Sequence, residues 1–99
     1  MIVEIQCIPT PSGTDGHRYA HVEAAIARIQ RSGVRYEVGA LGTTLEGEAD
    51  VVWPLLRDVH AACLDSGAER VMTVIKIAET SRRHAGPGMD DLVSDYRER

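Results

Sequence analysis

Residues 33–48 read Gly33-Val-Arg-Tyr-Glu-Val-Gly-Ala-Leu-Gly-Thr-Thr-Leu-Glu-Gly-Glu48. Val34, Tyr36 and Val38 alternate with Arg35 and Glu37, the two-residue period of a half-buried strand. Gly39-Ala-Leu-Gly42 then reads as a turn, and Thr43–Gly47 as a second strand that opens on β-branched residues. Two strands joined this way make a hairpin. The hairpin decides the fold because a helix and then a strand lie beyond it on either side.

On the N-terminal side, Val22, Ala25, Ile26 and Ile29 recur at i, i+3, i+4 and i+7, which predicts a helix from about His17 to Ser32. Thr14 or Asp15 is the candidate N-cap, and Gly33 suits the left-handed position that ends a helix. Ahead of it, residues 2–8 alternate as a strand. Val3, Ile5 and Cys7 face one way, Glu4 and Gln6 the other, and Pro9 and Pro11 stop the run. On the C-terminal side, Val52, Leu55, Leu56, Val59 and Cys63 form the apolar stripe of a helix from about Asp50 to Ser66. Pro54 falls in its first turn, where a missing N–H costs little, and Gly67 ends it. Arg70–Ile77 alternates as a fourth strand. Thr80–Gly88 is a polar loop, and Met89–Tyr96 predicts a short terminal helix.

The order β-α-β-β-α-β is the split βαβ, or ferredoxin-like, plan of an α+β domain, here one domain over residues 1–99. Right-handed crossovers set an antiparallel sheet in the order 4-1-3-2 with both helices on one face. The other face carries Glu4, Gln6, Ile8, Arg35, Glu37, Thr44, Glu46, Met72, Val74 and Lys76. Apolar side chains among charges make it a face that finds a partner, so self-association through this face or an edge strand is expected.

Composition removes several function classes. The chain has 99 residues, a net charge of -4 and no Phe. Lys76 is its only lysine, and Asn is absent. Without a basic block there is nothing to displace phosphate counterions, so no nucleic-acid partner is expected. The missing Phe removes the usual stacking platform of an RNA-recognition sheet, and the missing Asn the water-orienting residue of a ferredoxin-like acylphosphatase. No apolar run reaches the ~18–20 residues of a membrane span, and the N-terminus lacks a basic leader. Cys7 and Cys63 form no C-x-x-C and sit in apolar stretches, as small buried hydrophobes in a reducing cytoplasm.

Catalytic and metal chemistry find little support. His17 and His21 have metal-pair spacing, but nothing completes a site, so a solvated helix face is expected for both. Ser12, Ser32, Ser66, Ser81 and Ser94 fall at loops, helix ends or the tail, where capping accounts for them. No enzyme activity, metal or cofactor is expected. What does stand out is polar clustering. Thr44 and Glu46 project together from the open face, with Glu4 and Gln6 on the neighbouring strand and Lys76 beyond it. By spacing alone this is either a surface ion-pair network or a ligand site.

Gly33–Glu48 resembles the signature of the thiamine-binding (YkoF-like) family, its specific part being T-x-x-E-G after a G-x-x-Y-E strand. Ile2–Gln6 with the Pro-rich loop behind it, and Gly67–Ile77, resemble the same family. The chain departs from the family pattern at Ala78–His84, where members often carry an acidic and then a basic run. The resemblance implies a homodimer or homotetramer that binds thiamine or its hydroxymethylpyrimidine part without catalysis. Glu4, Glu37 and Glu46 are then candidates to face the organic cation, Gln6 and Thr44 to pair the aminopyrimidine, and Trp53 or Tyr36 to stack on a ring. Lys76 is expected to pair Glu4 or Glu46. The rival reading is an assembly module with no small-molecule ligand.

Overall fold

The computed structural model describes residues 1–81 and 84–97. Its elements are β1 (Ile2–Thr10), α1 (Ala20–Ser32), β2 (Arg35–Val38), β3 (Thr43–Glu46), α2 (Ala49–Asp65), β4 (Arg70–Ala78) and α3 (Met89–Val93), with a 3-10 turn at Ser94–Tyr96. The strands form one antiparallel sheet in the order β2-β3-β1-β4, the ferredoxin-like arrangement the sequence predicts.

Register places every open-face residue where alternation put it. Val3 pairs with Leu45 and Ile77, Glu4 with Thr44 and Lys76, and Glu37 with Thr44. Period-2 alternation then sends Val3, Ile5 and Leu45 to the helices. There they pack with Ala25 and Ile29 of α1 and with Val52, Leu55, Leu56, Val59 and Cys63 of α2.

Three local expectations are corrected. β1 does not stop at Pro9 but runs on to Thr10, with Pro9 opposite Val71. From Gln6 onward β1 is paired only with β4, so Pro9 sits where the strand has one free edge, the place a residue without an N–H is tolerated. The first helix begins at Ala20, not near His17, and neither Thr14 nor Asp15 caps it. Instead Thr14 and His17 exchange backbone hydrogen bonds of 2.9 and 3.1 Å, and Ser12 O accepts from His21 N at 3.0 Å. Gly13 is needed in this turn because a Cβ there would collide with the His17 and Arg18 carbonyls. Pro54 lies inside α2 rather than in its first turn. The donor it lacks would have met Asp50 O, at a stretch where Asp50 and Pro54 are both exposed.

The late start of α1 also corrects the reading of His21. The buried line of α1 is His21, Ala25 and Ile29, and His21 is only 2% exposed. Its Nδ1 lies 2.6 Å from Ser66 Oγ, which itself donates to Cys63 O at 2.9 Å. The single hydroxyl proton is therefore spent on Cys63, and His21 Nδ1–H donates to Ser66. His21 pins the start of α1 to the end of α2; it is not on a solvated face. His17, outside the helix, no longer shares a face with it.

Candidate functional site

The open face brings most of the predicted polar residues into one row. Lys76, Glu4, Thr44 and Glu37 are successive cross-strand partners across β4, β1, β3 and β2. Gln6 stands in the next row opposite Val74, and Glu46 opposite Ile2 and Arg35. Most of these side chains are already engaged. Lys76 Nζ is 3.4 Å from Glu4 Oε1, the pairing the sequence predicts.

The C-terminal segment takes up Glu46 and Glu37. Met89 N donates to Glu46 Oε2 at 2.7 Å, and Met89 itself is 4% exposed. Arg97 bridges Glu37 at 2.9 Å and Asp90 at 2.8 Å, and Arg35 meets Asp90 at 2.7 Å. α3 is thus clasped over the β2–β3 end of the open face. Hydrogen bonds from Arg35, then from Arg97, hold the Asp90 carboxyl below its usual range. A depressed carboxyl stabilises the clasp above its unfolded value and loses that contribution as pH falls through the folded one. The Leu92 and Val93 methyl resonances should therefore move toward random-coil shifts in the acid window below about pH 4, the ordinary carboxylate value. Methyl shifts unmoved through that window would show that Asp90 does not hold the clasp.

Two aromatic candidates lie elsewhere. Trp53 is 52% exposed on α2, in the layer on the opposite side of the sheet, so it does not join the open-face row. Tyr36 is half-buried against the core on that same side.

A concavity that the sequence reading missed opens on the helix side. A cleft of about 460 Å³ runs between α1 and the β2–β3 turn. Tyr19, Val22, Glu23 and Ile26 form the α1 wall, Val38 and Leu41 the turn wall, and Ile5, Cys7 and Thr43 the floor. Gln6 is the one residue of the predicted set that lines it. Among the described lining residues Glu23 is the only one of the Asp, Glu, Lys, Arg and His types. Val22 and Ile26 belong to the apolar stripe but stay only half-buried, because the turn stands off from the helix. Exposed Tyr19, Val38 and Leu41 near its mouth are the signal that could have marked it.

This is the usual make-up of a small-molecule site, mostly apolar with a few placed polar groups. A wider hollow of about 1260 Å³ lies beside Glu46, Glu48, Asp50 and Glu79, with mostly polar walls. Among the described residues no cluster of three or more His, Cys, Asp or Glu is placed to hold a metal. No helix of the described residues is long and apolar enough to cross a membrane. Burial pushes the Cys7 thiol up, and it pushes that of the fully buried Cys63 up to about 12. Both therefore stay protonated at neutral pH and are poor nucleophiles.

A family profile described as thiamine-binding protein matches residues 3–97. The chain belongs to the thiamine-binding protein family. A UPF0045 protein of Clostridium perfringens is 34% identical over 87 residues, 88% of each chain. Among solved structures, a domain of unknown function, DUF77, from Bacillus cereus superposes with a TM-score of 0.85 at 41% identity, covering 98% of this chain and 89% of that one. A thiamine biosynthesis/salvage candidate from Thermotoga maritima superposes with a TM-score of 0.78 at 29% identity, over 97% of both. The resemblance carried by residues 33–48 and 67–77 thus points to the family that the whole chain matches. Its departure at Ala78–His84 falls partly outside the described residues, since Arg82 and Arg83 are not among them. In this member of the thiamine-binding family, the open-face acids are joined to the clasp and to Lys76, and the apolar cleft lies behind them.

Proposed function

We propose that this protein binds thiamine or its hydroxymethylpyrimidine part, without catalysis, as a homo-oligomer in the cytoplasm, and that the ring enters the cleft between α1 and the β2–β3 turn. The observation that carries this reading is the cleft itself, apolar on both walls and with Glu23 as its one charged lining residue. A flat heterocycle gains from burial between Val22, Ile26 and Leu41. The Thr43 hydroxyl on the floor supplies a donor and an acceptor for an aminopyrimidine. A carboxylate near the mouth favours the thiazolium cation. On this reading Glu37 and Glu46 hold the C-terminal clasp, and Glu4 and Lys76 pair across the sheet.

Calorimetry and thermal melting with thiamine and with hydroxymethylpyrimidine test it. Ligand at ~100 times its dissociation constant should stabilise the fold by about 2.7 kcal/mol, raising the melting temperature by about 10 °C or more. No heat and no shift at millimolar thiamine would overturn it.

Self-association is supported by β4. It is the edge of the sheet, with Met72 and Val74 exposed on the open face and Ile75 and Ile77 still 39% and 40% exposed on the helix side. A long apolar edge with unpaired backbone groups is a template for another strand. Val74→Lys should convert the oligomer to monomer in light scattering at micromolar concentration while leaving the far-UV spectrum unchanged. A wild type that is already monomeric would remove the self-association part of the reading. The assembly-module alternative draws on this same edge, and it predicts no ligand response in the melting experiment.

A further inference from the structure

We infer that the cleft selects the unphosphorylated form of its ligand and rejects phosphate esters, with Glu23 as the specificity-determining residue. This rests on the reading above that the ring lodges in the cleft. Phosphate groups are held by Arg or Lys side chains or by free backbone N–H groups at a helix start. Among the described residues, the lining of the cleft contains no Arg and no Lys. α1 begins beside the cleft, but three of its first four N–H donors are already spent. Ala20 N donates to His17 O at 3.1 Å, His21 N to Ser12 O at 3.0 Å and Glu23 N to Tyr19 O at 2.9 Å.

The tight loop of residues 12–19 thus takes three of these donors with its own carbonyls. Several arginines of the described residues are committed to other faces. Arg28 pairs with Asp58 and Asp65 of α2, and Arg35 and Arg97 pair with Asp90. What the lining offers instead is the exposed side chain of Glu23. It attracts an organic cation and repels a phosphoryl dianion a few ångströms away, in a setting only partly screened by water.

The test is calorimetry of thiamine, thiamine monophosphate and thiamine diphosphate with the wild type, Glu23→Gln and Glu23→Lys. For the wild type we expect the monophosphate to bind about tenfold more weakly than thiamine and the diphosphate more weakly still, with the gap narrowing at high salt. Glu23→Gln should shrink the gap and Glu23→Lys should invert the order. Glu23 is exposed on α1, so both variants should melt near the wild type, which circular dichroism checks. If wild type binds thiamine and the esters equally, or the esters more tightly, this inference falls and the proposed function stands. An order unchanged in Glu23→Lys likewise removes Glu23 as the determinant. Silence with all three ligands overturns the proposed function, and the selectivity with it.

Discussion

Leu45→Ala should destabilise the fold by about 3–4 kcal/mol, as buried Leu-to-Ala truncations do when the cavity cannot collapse. Leu45 is 0% exposed, sits on β3 between Val3 and Tyr36, and packs into the shared core. A domain of this size has a total stability of roughly 5–15 kcal/mol, so the loss is a large part of the whole. The melting temperature should fall by about 20 °C, and urea unfolding should show the lower midpoint with an unchanged slope. Leu41, four positions earlier in the same hairpin segment, is 81% exposed. Leu41→Ala should change stability by no more than about 0.5 kcal/mol. A Leu45→Ala loss below about 1 kcal/mol would contradict the packing described for β3.

Val22→Trp should lower thiamine affinity by about 100-fold, or about 2.7 kcal/mol. Val22 lines the helix wall of the cleft and is half-buried. An indole at that position occupies the space proposed for the ligand ring. The fold should survive because the cleft opens to solvent and the added ring does not enter the close-packed core. Trp53→Ala is the matched control. Trp53 is an exposed aromatic on α2 that does not line the cleft, so its removal should leave affinity within about twofold of wild type. Full affinity in Val22→Trp together with loss in Trp53→Ala would move the ligand out of the cleft.

Much of the fold was legible because its signals are local. Strand alternation around Tyr36 and Glu37, and the stripe from Val52 to Cys63, identify each element within a few residues. Gly33, with φ of 82°, ends α1 as its residue type predicts. The misses were also physical. Pro9 reads as a strand breaker until β1 is seen to lose its β3 neighbour before reaching it. His17 reads as helical until the Thr14–His17 turn is seen to take the backbone bonds a longer helix would need.

The candidate site divides the same way. That Lys76, Glu4, Thr44 and Glu37 share a face follows from the order of residues, because successive side chains on a strand alternate and strand order obeys handedness. That Glu46 and Glu37 are taken up by Met89 and Arg97, 43 and 60 positions further along, does not follow from any local pattern. It arises because α3 folds back on the sheet. The cleft has the same origin. Val22 and Ile26 are apolar in any reading, but a gap beside them exists only because the Gly39–Gly42 turn stops short of α1. Residue type and periodicity settle which way a side chain points. Whether it meets a partner or a gap depends on contacts between elements distant in the chain, and those exist only once the layers have packed.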